Sequence, residues 1–227
     1  MLVPLLMKRG VHQLDVLIIS HLDSDHIGGL IEVLKTIPVE EIWWNGSYKD
    51  SEDIEDLFKL IIEKDITLRS PIMGDKIEID EVTTLEIIWP LHETPTEIEI
   101  RSEQNDESLV LVMHIFNHAF LYTGDIGEKA EENIVNYLFE NNIQINNISI
   151  MKVAHHGSRY STSYSWLSYF EPMASIISAG RYNTYGHPHP LVLSRLDEYN
   201  SIIWRTDQLG EVKIRVANDD IYFVDWK

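Results

Sequence analysis

The stretch that decides the fold is "ISHLDSDHIGG", residues 19–29. It overlaps the apolar run "DVLIIS" (15–20), which predicts a buried strand, and a helix is predicted from the paired glycines to about Thr36. Between strand and helix stand four side chains with metal-binding groups: His21, Asp23, Asp25 and His26. Imidazole nitrogens and carboxylate oxygens are ligands for Zn²⁺, Mn²⁺ and iron. Because such groups would repel one another without a cation, their density predicts a metal site. The alternative is a polar loop in which one aspartate caps the helix.

The composition limits the classes of protein to which this chain can belong. The chain has 227 residues, of which 44% are apolar, and no linker divides it, so we predict a single domain over residues 1–227. It contains no cysteine, which excludes disulfides and thiolate metal sites. No apolar run approaches the ~18 residues of a membrane helix, and we predict a cytoplasmic protein with no membrane partner. The net charge of −19 opposes long-range attraction of polyanions.

Apolar periodicity alternates between strand-like and helix-like segments along the chain. The segment around residues 51–65 has apolar side chains at helical spacing, and a hairpin is predicted around the turn Phe116-Asn117. Strands therefore occur both between helices and in hairpin runs, which predicts mixed sheets covered by helices, a layered α/β architecture. The segment 92–107 is predicted to be a long loop.

Two further groups of ligand-type side chains follow predicted strands. Asp125 ends "LYTGD", and the pair His155 and His156 follows "MKVA". Parallel strands would bring these groups and the 21–26 cluster to one edge of a sheet. Neighbouring residues of a strand point to opposite sides, so at most one of the two histidines would face a given metal. The alternative for Asp125 is an N-cap of the helix predicted over 128–141.

A last cluster is "RYNTYGHPHP", residues 181–190. Glycine and prolines hold His187 and His189 in place, and Arg181 supplies positive charge. The pattern favours a functional role for His187. For His189, a rigid loop that enters the helix predicted over 190–199 is an equally good interpretation.

The motifs H-x-D-x-D-H, T-G-D, H-H-G-S and Y-G-H-P, in this order, resemble the metallo-β-lactamase superfamily. The segments "NDESLVL", "KVAHHGSRYSTS" and "WRTDQLGEVKI" further resemble its competence-protein (ComEC/Rec2) hydrolase subgroup, over nearly the whole chain. The resemblance implies an α/β protein with a four-layer αββα sandwich. It also implies a hydrolase centre with two divalent metal ions, Zn or Mn, between the two sheets.

The resemblance implies roles for individual residues as metal ligands. The first ion would be held by His21 and Asp23, the second by Asp25, His26 and one of the pair His155 and His156, with Asp125 as the bridge. The wider superfamily has a further histidine before the bridging aspartate, and the corresponding stretch here, "QNDESLV", has none. We therefore predict that the first ion binds more weakly than the second.

Hydrolysis of a phosphodiester is the predicted reaction, because the subgroup resemblance implies phosphodiesterase or nuclease activity with a metal-bound hydroxide as the attacking group. Asp25, His156 and His187 are the candidate catalytic residues, the histidines as donors to the leaving oxygen. The candidate substrate-binding residues flank the histidine clusters: Lys152, Ser158, Arg159, Arg181 and His187. Against the acidic surface, these groups favour a small phosphodiester or a short nucleic acid. Hydrolysis of a neutral ester or lactone is the alternative.

The resemblance fails at the N-terminus. Relatives normally begin with several dozen residues that form a strand pair, whereas this chain starts at the following helix, so its first sheet is expected to lack the first strands and to expose an unpaired edge. Three explanations stay open: a trimmed gene product, a split protein completed by strands from a partner chain, and a degenerate relative. An inactive fragment, or a subunit of a larger complex, is the corresponding alternative to an enzyme.

Overall fold

Two β-sheets, one of three strands and one of seven, form the framework of the protein. The computed structural model describes residues 2–91, 99–100, 105–145, 147–218 and 220–224. Most of the loop predicted over 92–107 lies outside the described residues. Within them, no helix is both long and apolar enough to cross a lipid bilayer.

The N-terminal part alternates helices with short strands. Its elements are α1 (Leu2–Lys8), β1 (Leu14–Ile19), α2 (Ser24–Ile27), α3 (Leu30–Thr36), β2 (Val39–Trp44), β3 (Ser47–Tyr48), α4 (Glu52–Glu63) and β4 (Thr67–Arg69). Strands β1, β2 and β4 pair in parallel, in the order β1-β2-β4, so β1 is an edge strand among the described residues. The strand predicted at 15–20 and the helices on either side of β2 are confirmed, but most of β1 is half-buried and not buried as predicted, because it lies at the edge of the sheet. Strand β4 escapes prediction because three residues are too few to show an alternating pattern.

The rest of the chain supplies the seven-stranded sheet. Its elements are β5 (Lys76–Glu78), β6 (Thr83–Trp89), β7 (Glu99–Ile100), β8 (Val110–Ile115), β9 (His118–Tyr122), α5 (Glu128–Glu140), β10 (Ile148–Lys152), α6 (Tyr164–Phe170), β11 (Ala174–Ile177), α7 (Pro190–Glu198), β12 (Ile202–Arg205), α8 (Thr206–Leu209), β13 (Ile214–Ala217) and β14 (Asp220–Phe223). The strand order is β12-β11-β10-β9-β8-β6-β5. The first four strands run parallel, and the hairpin β8-β9 makes the remainder antiparallel. The predicted mixed sheet is confirmed.

Three apolar cores separate four layers. Helices α5, α6 and α7 pack on one face of the seven-stranded sheet, where Trp166 and Ile134 are fully buried. Helices α3 and α4 cover the outer face of the three-stranded sheet around Leu34 and Leu57. The two sheets meet through a third cluster that includes Trp43 of β2 and the β6 and β8 side chains opposite. This is the αββα sandwich predicted from the sequence.

The site lies where the sheets' strand ends face each other. Strand β1 ends at Ile19, and the backbone N–H of Leu109 donates a hydrogen bond of 2.8 Å to the carbonyl oxygen of Ser20. This bond ties the end of β1 to the segment that leads into β8 of the other sheet. The 21–26 cluster is therefore held against the seven-stranded sheet, although it belongs to the three-stranded one.

Candidate metal centre

The H-x-D-x-D-H segment folds into a turn followed by the one-turn helix α2. Asp23 precedes α2 in an extended conformation, and its side chain makes no capping hydrogen bond, so the capping interpretation does not hold for this residue. Asp25 and His26 lie within α2. At Gly28 a Cβ atom would come within 2.6 Å of the carbonyl oxygen of Ser24. Only glycine fits this turn, which explains why the ligand-rich segment ends at glycine.

Asp125 reaches the same place from the end of β9. Gly124 has a φ of +54°, and a Cβ atom there would lie 2.4 Å from the Cβ of Ser108. The Ser108 hydroxyl accepts a hydrogen bond of 3.0 Å from the backbone N–H of Asp125, whose side chain is buried. The N-cap of α5 is Gly127, so the alternative in which Asp125 caps this helix is wrong.

The two adjacent histidines do not continue strand β10, which ends at Lys152. Both adopt left-handed backbone conformations, with φ of 46° for His155 and 54° for His156, in a short 3₁₀ turn. The expectation that they alternate on a strand is therefore wrong, because the chain has already turned. The turn still separates them: Nδ1 of His156 donates to the carbonyl oxygen of Ser178 at 2.7 Å, which leaves its Nε2 free to face the carboxylates.

Four of the candidate ligands converge. One ligand atom from each lies within 4.8 Å of all the others: Asp25, His26, Asp125 and His156. Nε2 of His156 is 3.1 Å from Oδ2 of Asp25 and 3.0 Å from Oδ2 of Asp125. Nε2 of His26 lies 3.2 Å from the same Asp125 oxygen. We call these four residues the compact cluster; it is not built at one edge of one sheet, as expected, but between two sheets.

His21 and Asp23 lie beside the compact cluster, and we call them the outer pair. His21 is fully buried; its Nδ1 is within 3.1 Å of the Ser20 hydroxyl and 3.3 Å of the Ser108 hydroxyl. Its Nε2 is buried with no hydrogen-bond partner among the described residues, and the nearer carboxylate oxygen, Oδ2 of Asp23, is 3.8 Å away. The other oxygen of Asp23, Oδ1, forms an ion pair with Nζ of Lys49 at 3.0 Å. A buried imidazole nitrogen without a hydrogen-bond partner, next to a carboxylate, is a pair of groups that a divalent ion can bind. The residues present therefore fit a metal ion.

Electrostatics prepare several of these groups for ligation. Burial, helped by the neighbouring His26, lowers the pKa of His21 to about 4, so its imidazole is neutral at pH 7 and keeps a lone pair. Burial opposes ionisation of Asp125, but hydrogen bonds from His156 and His26 and the charge of Lys152 outweigh it and hold the pKa of this carboxyl well below its usual range. The hydrogen bond to Asp125 raises the pKa of His156. Burial lowers the pKa values of His155 and His187.

The remaining candidate residues surround the cluster at different depths. Lys152 touches it directly, with Nζ 3.3 Å from Oδ1 of Asp125 and 2.8 Å from the carbonyl oxygen of Gly124. The rings of His187 and His155 are 5.9 Å apart. His155 lies 3.4 Å from the amide nitrogen of Asn105 and lines a neighbouring cavity that Asp23 also borders.

The predicted substrate-binding residues have more varied surroundings. Ser158 is buried and bonds within its own loop, where its backbone N–H donates to the His155 carbonyl. Arg159 is exposed and lies over the ring of Tyr160 at 4.9 Å, while Arg181 is exposed and donates to the carbonyl oxygen of Asp207 at 3.2 Å. His189 caps α7 by accepting from the Leu191 N–H, which supports the loop interpretation of this residue.

Sequence reasoning missed two residues that shape the centre. Ser108 joins His21 to the backbone of Asp125, and Lys49 neutralises Asp23. Ser108 lies in "NDESLVL", which resembles the corresponding segment of the competence-protein subgroup but contains no metal-ligating histidine. The contact of Lys49 with Asp23 could not be predicted from the sequence, because it depends on the path of the chain after β2.

Comparison with known proteins now decides the family. The family model described as "Metallo-beta-lactamase superfamily" matches residues 4–181. The chain belongs to this superfamily. The resemblance inferred from the motifs is thereby confirmed, and the fold is that of a metallo-hydrolase.

The narrower resemblance is confirmed by curated relatives. The chain is 31% identical over 217 residues to ComE operon protein 3 of Bacillus subtilis (strain 168), covering 96% of this chain and 26% of that protein. It is 29% identical to Recombination protein 2 of Haemophilus influenzae, covering 96% of this chain and 24% of that one. The chain thus spans about a quarter of the length of these relatives.

Solved structures agree on the fold. CmlA, described as a diiron β-hydroxylase from Streptomyces venezuelae, is similar with a TM-score of 0.50 at 11% identity, over 86% of this chain and 44% of that one. A similarity at this identity shows the shared architecture alone.

Proposed function

We propose that this metallo-β-lactamase superfamily protein is a divalent-metal-dependent phosphodiesterase that acts on a small phosphodiester or a short nucleic acid. The observation that carries the proposal is the convergence of Asp25, His26, Asp125 and His156 within 4.8 Å beside the orphaned Nε2 of His21. Two divalent ions, Zn or Mn, would be held, one by the compact cluster and one by the outer pair, with Asp125 shared. Two adjacent cations suit a phosphodiester, which carries negative charge on its non-bridging oxygens.

When bound, divalent ions supply Lewis acidity and bring the pKa of water towards neutrality. The protein's own residues then set the geometry. Asp125 is fixed by Ser108 at its backbone and by Lys152 at its side chain. Nδ1–H of His156 donates to the Ser178 carbonyl oxygen, which orients the ring and leaves Nε2 available as a ligand. Rigid support of this kind keeps ligands in position without reorganisation during the reaction.

His187 is placed to donate a hydrogen bond to the leaving oxygen. It borders the same cavity as Asp25 and His156, and burial lowers its pKa. The neighbouring histidines oppose its protonation further. His187 is therefore mainly neutral near pH 7, and its ring N–H would donate a hydrogen bond to the leaving oxygen.

Charge around the site favours a short substrate over a long polyanion. The whole chain carries a net charge of −19, which repels nucleic acid at a distance. At the centre, bound cations together with Lys152 would reverse the sign, and Arg159 and Arg181 would add positive charge from the loops that follow His156 and β11. Their influence falls off within about 8 Å at physiological salt, so they assist contact rather than long-range steering.

The test is hydrolysis of bis-p-nitrophenyl phosphate with Mn²⁺ or Zn²⁺ supplied to the metal-free protein. We expect turnover in at least one metal, and a loss of at least about 100-fold in kcat/KM in Asp25→Ala because a ligand of the compact cluster is removed. Asp53→Ala, which changes an exposed carboxylate of α4, is the matched control and should behave as the wild type.

Two results would reject the proposal. One is absence of phosphodiester turnover with any divalent ion; hydrolysis of p-nitrophenyl acetate under the same conditions would then move the assignment to a neutral ester. The other is equal turnover by Asp25→Ala and Asp53→Ala, which would place the activity outside this centre.

A further inference from the structure

A small cavity opens next to the compact cluster, between α2 and the loop that follows β11. Its volume is about 250 Å³, and its lining includes Asp25, His156, Ala179, Gly180, Tyr185 and His187. Most of the lining surface is apolar, although two of the candidate metal ligands form one wall. A bound group in this cavity would thus touch the centre at one end and apolar surface at the other.

Two aromatic rings contribute to the lining of the cavity, and we call them its aromatic wall. The rings of Tyr185 and His187 are stacked with an interplanar angle of 18° and a centroid separation of 5.9 Å. Tyr185 is 82% exposed, so its ring has almost no protein cover. An exposed aromatic ring at the mouth of a cavity offers a face on which a planar group can stack.

The loop that carries Tyr185 is preorganised. The Asn183 side chain accepts a hydrogen bond of 2.9 Å from the N–H of His187 and donates bonds of 2.8 Å to the carbonyl oxygens of His187 and Gly180. The N–H of His189 donates to the Gly157 carbonyl, which ties the end of the loop to the turn of the two histidines. Ordering the aromatic wall in advance lowers the entropic cost of binding against it.

We propose that this cavity binds the nucleobase of a nucleotide adjoining the scissile phosphodiester, stacked on Tyr185; the inference rests on the phosphodiesterase proposal and names its substrate class. The phosphate would lie at divalent ions held by the compact cluster, and a base attached through the sugar would enter the cavity that Asp25 and His156 share with Tyr185. The volume suits one planar ring system. Because the lining is mainly apolar, recognition depends on stacking and does not select one base over another.

The experiment compares a thymidine dinucleotide with an analogue that lacks both bases, using the Mn²⁺-loaded full chain. We expect Tyr185→Ala to lower kcat/KM for the dinucleotide about ten-fold, as loss of a base–aromatic stack does, and to leave the abasic analogue unchanged. Tyr185→Phe should keep the wild-type preference, because the ring remains. Tyr182→Ala is the control: Tyr182 is 90% exposed in the same loop but does not line the cavity.

A binding measurement separates this inference from the function on which it rests. Stacking should quench a dinucleotide that contains 2-aminopurine when it binds the wild type and Tyr182→Ala, and Tyr185→Ala should lose the quenching. Turnover without quenching, at equal rates for the dinucleotide and the abasic analogue, would overturn the base pocket and leave the phosphodiesterase standing. Quenching without turnover of any phosphodiester would support the pocket and overturn the phosphodiesterase. Absence of both would overturn both.

Discussion

The compact cluster and the outer pair of the candidate centre differ in the partners of their carboxylates. In the compact cluster, Oδ2 of Asp125 lies 3.0 Å from Nε2 of His156 and 3.2 Å from Nε2 of His26, and Lys152 approaches only the other oxygen, Oδ1, at 3.3 Å. In the outer pair, Asp23 faces the ammonium group of Lys49 at 3.0 Å, and Nε2 of His21 is left without a hydrogen-bond partner among the described residues. Carboxylates and imidazoles are therefore in close contact with each other in the compact cluster, but are farther apart in the outer pair.

The difference bears on metal affinity. An imidazole that faces a carboxylate can itself bind a metal ion once it loses its proton. A cation can therefore take the place of that proton and be bound by both the imidazole and the carboxylate. A lysine cannot ligate while it is charged, and it also repels an incoming cation. Lys152 acts on Asp125 in the same way, but Asp125 keeps two imidazoles within 3.2 Å of its other oxygen, whereas the nearest imidazole to Asp23, that of His21, is 3.8 Å away. The Lys49 ion pair therefore adds to the missing histidine a second reason to expect that the first ion binds more weakly.

The largest effect is expected when the charge of one carboxylate is removed, from the compact cluster in one variant and from the outer pair in another. The two variants together test the predicted difference in metal affinity. We expect Asp25→Asn to lose the tightly bound ion and to lower turnover of bis-p-nitrophenyl phosphate on the order of 10³-fold, since several kcal/mol of electrostatic stabilisation disappear. Asp23→Asn should retain the tight ion and lose only the weak one, with a smaller fall in turnover. Metal content after dialysis and a metal titration of each variant measure this. Equal losses of metal in the two variants would contradict the predicted difference in metal affinity between the compact cluster and the outer pair.

A smaller effect is expected from releasing Asp23. Lys49→Met removes the ion pair and a positive charge beside the outer pair, so the weaker ion should bind roughly three- to ten-fold more tightly, in line with about 1 kcal/mol for a partly exposed pair. Lys59→Met is the matched control, because Lys59 pairs with exposed carboxylates of α4. Calorimetric titration with Mn²⁺ gives both affinities. Unchanged or weaker binding in Lys49→Met would show that the lysine does not cause the asymmetry.

The effect expected to be smallest on activity concerns the support of the compact cluster. Glu131 is fully buried in α5 and accepts backbone hydrogen bonds of 2.5 Å from Thr162 and 2.7 Å from Ser163, in the loop that follows His156. Burial raises its pKa from 4.5 to about 7, although the two N–H donors oppose the shift. Between these values the folded state holds a proton that the unfolded state has lost. The stabilisation is therefore complete below about pH 4.5 and is lost as the pH rises through about 7.

Urea unfolding at pH 5 and pH 8 measures the contribution of Glu131. The wild type should lose about 2 kcal/mol more stability than Glu131→Gln between these values, because glutamine does not titrate. Glu132→Gln, at an exposed neighbouring position, should follow the wild type. A pH dependence that is identical in wild type and Glu131→Gln would mean that the carboxyl does not titrate in this range, and the compact cluster would then lack this pH-sensitive support.

Local sequence was sufficient for most elements of the fold. Helix α4 shows apolar residues at helical spacing with Ser51 as an N-cap that accepts from Ile54. The parallel strands β1 and β10 are predominantly apolar, and β10 is buried over its first four residues, whereas β1 is half-buried along most of its length. Short elements such as β4 and α8 could not be predicted, since three or four residues carry no period. The turn at His155 also lay beyond sequence reasoning, because two consecutive non-glycine residues with positive φ are held there by surrounding contacts.

The chain's order of motifs was enough to identify the ligand types, the superfamily and the hydrolase class of its fold, because metal chemistry restricts which side chains can stand after which strands. Which of those side chains meet was settled by packing between the sheets. The meeting of His156 with Asp25, the apposition of Lys49 and Asp23, and the Tyr185 wall beside the cluster all join residues far apart in the chain. Such distances depend on how the two sheets stack and where their loops return, and no local pattern of residues encodes them.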